Sequence, residues 1–168
     1  VGTADKVITA YYYTQYKPTV TLAGTDSIHN VTAYYTKNGM PVTVQGNFGL
    51  WSKWVDESTP LFFDVEAIGS SATERWHTYE DFAVSPWTSV SSPFLATIVY
   101  YHQFNVSITT TGLVSNYPAM ITATKVGNPI NPTTYTSWND WVDAEAALSI
   151  NETILISTAE RYHTIDIY

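Results

Sequence analysis

The chain repeats itself, and this restricts its possible folds more than any other feature. Tyr12-Tyr13-Thr14-Gln15-Tyr16 returns 88 positions later as Tyr100-Tyr101-His102-Gln103-Phe104. At the same spacing Thr19-Val20-Thr21 returns as Ser107-Ile108-Thr109, Gly24 as Gly112, and Thr36-Lys37-Asn38-Gly39 as Thr124-Lys125-Val126-Gly127. Trp51-Ser52-Lys53-Trp54-Val55-Asp56 matches Trp138-Asn139-Asp140-Trp141-Val142-Asp143 at a spacing of 87, and Glu74-Arg75-Trp76-His77-Thr78 matches Glu160-Arg161-Tyr162-His163-Thr164 at 86. The spacing shrinks one residue at a time, as it does when residues are lost from turns. Copy one spans residues 7–79 and copy two 95–168. Between them, residues 80–94 carry Ser85-Pro86 and Ser91-Ser92-Pro93 and read as a linker. Tandem units of this kind stack or pair through equivalent faces.

Within a copy the pattern is β. Val20, Leu22 and Ile108 lie in alternating stretches of Thr, Val and Tyr, and Pro118–Thr124 reads the same way. Lys37-Asn38-Gly39 is a hairpin signal, since Asn-Gly takes positive φ readily, and Val126-Gly127-Asn128-Pro129 closes the matching strand. Leu61–Ile68, Ala147–Ile156 and Arg161–Tyr168 supply further strands. Residues Trp138–Ala147, enriched in Asp and Ala, predict a turn or a short helical piece at most. The expected fold class is all-β: two tandem Greek-key or immunoglobulin-like β-sandwich units of six or seven short strands each.

Charge narrows the partners. Lys and Arg number 7 against 15 Asp and Glu, giving a net charge of −8, and no basic block exists. Nucleic acid and anionic membranes would be repelled. No apolar run approaches the ~18 residues of a membrane helix. Charged residues make up only 13% of the chain, and hydroxyl and amide side chains replace them. Few titrating carboxylates predict a stability that changes little with pH. There is no Cys, so stability does not come from disulfides. A start at Val1 rather than Met is what removal of a leader would leave. Asn30-Val31-Thr32, Asn105-Val106-Ser107 and Asn151-Glu152-Thr153 are N-glycosylation triplets, whereas Pro132 blocks the one at Asn131. Together these features predict an extracellular, cell-surface location, with N-linked glycans as the only added groups.

No residues assemble into a catalytic pattern. Glu74/His77 and Glu160/His163 stand at i and i+3, which places them on opposite faces of a strand. Asp64 and Glu66 lack the signature of a calcium loop. There is no nucleophile elbow, phosphate loop or zinc spacing. The chain is therefore expected to be non-catalytic and free of cofactor and metal. One Trp of each Trp-x-x-Trp pair is expected in the core, with Trp54, Trp141, Arg75 and Arg161 as anchors and the arginines paired to carboxylates such as Asp56 and Asp143. The other Trp of each pair is left open to stacking on sugars.

Read together, Tyr100–Phe104, Trp141–Ala144 and Glu160-Arg161-Tyr162 resemble a repeat of exported proteins of thermophilic archaea. Copy one is more divergent, with Thr14 in place of His102 and Glu57 in place of Ala144. A chain made of nothing but such units is similar to the subunits of archaeal extracellular thread filaments. That resemblance implies head-to-tail assembly, adhesion or cell–cell contact, and a donated N-terminal strand. The sequence offers such a strand in residues 1–13, centred on Val7, Ile8, Thr9, Ala10 and Tyr11; Asp5–Ala10 is the equivalent of the strand-like Phe94–Val99 ahead of copy two. An end strand of this kind pairs equally well in its own sheet or on a neighbour's open edge. The expected partners are thus copies of the chain itself, then cell surfaces or carbohydrate. The competing expectation is a non-catalytic carbohydrate- or surface-binding module of a larger secreted protein.

Overall fold

A computed structural model describes residues 8–25, 29–47, 49–78 and 90–163. The described residues form strands, turns and loops with no helix, and therefore no helix long and apolar enough to cross a membrane. Copy one contains β1 (Gln15–Tyr16), β2 (Thr19–Ala23), β3 (Val31–Lys37), β4 (Met40–Gly46), β5 (Leu50–Ser52), β6 (Val55–Asp56), β7 (Phe62–Phe63) and β8 (Glu74–His77). The lead-in to copy two is β9 (Leu95–Val99). Then come β10 (Tyr101–Thr109), β11 (Ala119–Lys125), β12 (Asn128–Ile130), β13 (Thr133–Thr134), β14 (Ser137–Asp143), β15 (Ser149–Ile150), β16 (Thr153–Leu155) and β17 (Arg161–His163).

The duplication is visible in the pairing. In copy two, β10 runs antiparallel to β14 from Gln103↔Asp143 to Thr109↔Ser137. Copy one has the same ladder in two pieces: β1 with β6, starting at Gln15↔Asp56, and β2 with β5, ending at Thr21↔Leu50. Pro18 stands where copy two has Val106, and a residue without an N–H cannot continue a ladder. The β3–β4 hairpin corresponds to β11–β12, and β7 beside β3 corresponds to β15 beside β11, with Ala33↔Phe63 matching Ile121↔Ile150. Of Trp138–Ala147, expected to be a turn or short helical piece, residues 138–143 are strand and only 144–146 form a turn. The strand's tryptophans and Val142 are spaced along a ladder with β10, and that pairing overrides the local preference of Asp and Asn.

The main core belongs to copy one, but copy one does not complete it alone. Val20, Val31, Leu61 and Phe63 pack around Trp51, which is 1% exposed and meets Tyr35 and Phe63 edge-on at 5.3 and 5.5 Å. Ile98 and Tyr100 from the start of copy two, and Val90 from the stretch expected as linker, belong to the same cluster. Trp51, not Trp54, is thus the tryptophan anchor of copy one. Trp54 is 50% exposed, because it alternates onto the outer face beyond the break between β5 and β6. In copy two both Trp138 and Trp141 are only partly buried, and the buried apolar residues of its strands are Ala119, Ile121, Ala123 and Val142.

Trp51→Ala is therefore expected to cost about 3–5 kcal/mol, the usual penalty for an emptied aromatic site. Trp54→Ala should cost less than about 1 kcal/mol. Urea unfolding of the purified variants, followed by far-UV circular dichroism, measures both. Equal losses would mean that Trp54 carries core packing after all.

Candidate functional site

Two chemical motifs are built twice. The first joins a hairpin turn to a strand. Asn38 and Gly39 take φ of 55° and 76°, and Val126 and Gly127 take 52° and 73°, the geometry of two-residue hairpin turns. Such a turn leaves its backbone N–H groups pointing outward. In copy one the Asp56 carboxylate accepts both, Asn38 N–H at 2.9 Å and Gly39 N–H at 2.7 Å, and also Gln15 Nε2–H at 2.7 Å. In copy two Asp143 accepts Val126 N–H at 2.9 Å, Gly127 N–H at 2.7 Å and Gln103 Nε2–H at 2.8 Å. A Cβ on Gly39 would lie 2.7 Å from the Tyr13 hydroxyl, and one on Gly127 at 2.7 Å from that of Tyr101. The repeated Tyr-x-Gln, Xaa-Gly and Trp-Val-Asp motifs are therefore one staple. Tyr covers the turn, Gln and the turn bind Asp, and a β-branched residue at Val126 is held at a positive φ it would not choose.

Arg75 faces a carboxylate as expected, but it is that of Glu66 at 3.8 Å; the turn N–H groups and a glutamine fill the carboxylates of Asp56 and Asp143. Burial pushes the Asp56 carboxyl upward, but hydrogen bonds from Gln15, Gly39 and Asn38 outweigh it and hold the group below its ordinary value.

The second motif is the joint between copies. β9 lies parallel to β2, with Thr19↔Leu95 through Ala23↔Val99 in register. Next to it, β10 runs antiparallel to β8, from Tyr101↔His77 to Phe104↔Glu74. Tyr100 sits between the two strands, 2% exposed, and its hydroxyl donates to the Asp64 carbonyl. Burial drives its pKa far above the usual tyrosine value. Gly24, at φ +83°, admits this crossing: a Cβ there would strike the Tyr100 carbonyl. His102 stacks on Trp76 at 4.2 Å and bonds Glu74 at 2.8 Å, while His29 stacks on the other face of the same Trp at 3.5 Å. Arg75 donates to Gln103 Oε1 at 3.0 Å and lies 4.3 Å over the Trp141 ring. Arg75 and Trp141 are thus anchors of the joint rather than of a copy's interior.

The counterparts of this joint elsewhere in the chain lie open. The segment corresponding to β9 and Tyr100 is residues 7–12. Val7 lies outside the described residues; Ile8, Thr9, Ala10 and Tyr11 form no strand and are exposed, and Tyr12 is 93% exposed. Gly112, the counterpart of Gly24, has φ +82°, yet among the described residues nothing lies within 4 Å of the place its Cβ would take. β17, the counterpart of β8, pairs only with β16 among the described residues, and Arg161 is exposed. Tyr117 faces Tyr162 at 6.3 Å, where His29 faces Trp76 in copy one.

The remaining sequence candidates are dispersed. Glu74 and His77 engage different partners, His102 and Glu66 respectively. No three His, Cys, Asp or Glu among the described residues converge as metal ligands. Asn30, Asn105 and Asn151 are all partly exposed. The Asn105 amide oxygen accepts from Asn139 at 2.6 Å and that of Asn151 from the Met120 N–H at 2.7 Å. Sequence reasoning passed over Tyr12, Tyr100, Gln15, Gln103 and Gly112 as site residues. Their signal was present, since all lie inside the duplicated motifs.

Asp56→Asn is expected to destabilise by about 1–3 kcal/mol, because an amide NH2 replaces one carboxylate oxygen and meets an N–H donor instead of accepting from it. The carboxylate's contribution is complete above its unfolded value of 3.8 and fades as pH falls through the lower folded value. Urea midpoints measured from pH 6 to pH 2 should therefore drop more steeply for the wild type than for Asp56→Asn. Compared with protein-family models, with curated proteins and with solved structures, the chain matches none.

Proposed function

We propose that this chain is a non-catalytic structural subunit of an extracellular, cell-surface filament. It adds head to tail by placing residues 7–13 beside β10 of the chain before it, as β9 lies beside β2, and the filament serves adhesion or cell–cell contact. The observation that carries this reading is an asymmetry between equivalent positions. Leu95–Val99 is paired in the sheet of copy one and buries Ile98 and Tyr100 in its core, while its counterpart at residues 8–12 forms no strand and is exposed, and among the described residues nothing pairs with Ser107–Thr109 on the side away from β14 or meets Gly112.

The energetics favour exchange. An unpaired edge displays a row of N–H and C=O groups that a neighbour's strand can satisfy. Each chain offers one such segment and one such edge. Because the two sit on different copies, the contact is heterologous, the kind that propagates head to tail when its rotation does not close a ring. Burying Tyr12 as Tyr100 is buried adds about 1.5–3 kcal/mol. We read each copy as a small immunoglobulin-like Greek-key sandwich, a reading supported by the repeated β1/β2–β5/β6 and β10–β14 ladders and their hairpins. Glycans on Asn30, Asn105 and Asn151 would help wet a surface poor in charge. A second reading, a carbohydrate-binding module, draws on the half-exposed Trp54.

Negative-stain electron microscopy of the purified protein is expected to show filaments one subunit wide. Deleting Val1–Ala10 should abolish them. Tyr12→Ala should raise the concentration needed for assembly about 10- to 100-fold. Filaments that persist after the deletion would sink strand donation. Monomers that bind an oligosaccharide with quenching of Trp54 fluorescence would favour the second reading.

A further inference from the structure

We infer that Arg161 of one chain closes over Trp54 of the next, so that β17 and β1 form a second seam between chains. The inference rests on the head-to-tail reading, but it concerns different strands from the donated segment and supplies a contact of different chemistry.

The template is the β8–β10 seam within the chain. There Arg75 stands opposite Gln103, donates to its Oε1 at 3.0 Å, and covers the Trp141 ring at 4.3 Å. Gln103 is held for this by its bond to Asp143. Every member has a repeat counterpart: Arg161 for Arg75, Gln15 for Gln103, Trp54 for Trp141 and Asp56 for Asp143. The receiving half is already assembled. Gln15 donates to Asp56 at 2.7 Å and so turns its amide as Gln103 does, and among the described residues β1 pairs with β6 alone. Trp54 is 50% exposed, and Trp141, under Arg75, is less exposed. The offering half is equally ready, since β17 pairs with β16 alone among the described residues and carries Arg161 exposed.

The geometry also orders the two contacts. β9 and β10 are consecutive in the chain, so the segment that fills one edge leads directly into the strand that meets β8. A neighbour entering through residues 7–12 brings β1 to β17 in the same register, with Gln15 opposite Arg161 and Thr14 opposite Tyr162. The seam between chains lacks the imidazole: Thr14 replaces His102, so the His102–Glu74 bond and the His102–Trp76 stack have no equivalent there. The arginine over the tryptophan is then the main polar contact, and it sets both register and direction.

The chain has no Cys, which permits a clean test. Residues directly opposite in an antiparallel pair lie about 4.5–5.5 Å apart at Cα, within disulfide reach. Chains carrying Thr14→Cys together with Tyr162→Cys, assembled and then oxidised, should give a ladder of covalent multimers on denaturing electrophoresis. Chains with either substitution alone should not. Arg161→Ala should raise the concentration needed for assembly roughly 3- to 30-fold, with unfolding of the dispersed chain unchanged. Wild-type filaments combined with either no ladder or an unchanged requirement in Arg161→Ala would overturn the seam and leave strand donation standing. A wild type that never assembles would overturn both.

Discussion

A sheet edge presents backbone N–H and C=O groups that must find partners in protein or in water, and the architecture of this chain follows from how its edges are closed. The outer edge of β2 is closed by β9, a strand that precedes copy two in sequence but lies in the sheet of copy one. Ile98 and Tyr100 enter the core with it, so the most buried part of the molecule is shared between the repeats. The two copies are therefore neither independent domains nor a merged sheet. Copy one is a unit whose closing strand is encoded ahead of copy two.

This arrangement explains the difference between nearly identical sequences. Trp51 and Trp138 occupy the same place in the repeat, yet one is sealed and the other half-buried. Gly24 and Gly112 share a backbone conformation, yet among the described residues only Gly24 has a neighbour against it. Copy one has received its closing strand, and the described residues supply none to copy two. The proposed filament extends to a second chain the contact that the first chain already makes within itself, at no cost in new types of interaction.

Some of the repeat's conservation between copies has a local cause. The staples at Asp56 and Asp143 tie each hairpin to its neighbouring strand through the same three donors. A carboxylate is suited to this because it accepts without offering a hydrogen, and its two oxygens match two successive N–H groups. These staples hold the strands that bear Gln15, Trp54, Gln103 and Trp141, and so they set the geometry of the joint.

The sequence by itself determined the duplication, the β class and the two hairpins. These depend on short-range pattern: alternation, turn residues at positive φ, and motif spacing. It also marked Phe94–Val99 and residues 5–10 as equivalent strand-like segments. It misassigned Trp54 as a core anchor, it read Trp138–Ala147 as a turn or short helical piece although the part up to Asp143 is strand, and it matched Arg75 with the wrong carboxylate. In each case the deciding partner is remote in sequence: β2 for Trp51, β10 for Trp138–Asp143, and the Gly39 and Gly127 turns, 17 and 16 residues away, for the aspartates. Only the tertiary structure decided that β9 crosses into copy one, because a parallel strand far along the chain carries no local signal of its destination. Burial of Tyr100 and exposure of Tyr12, alike in sequence, follow from that one pairing.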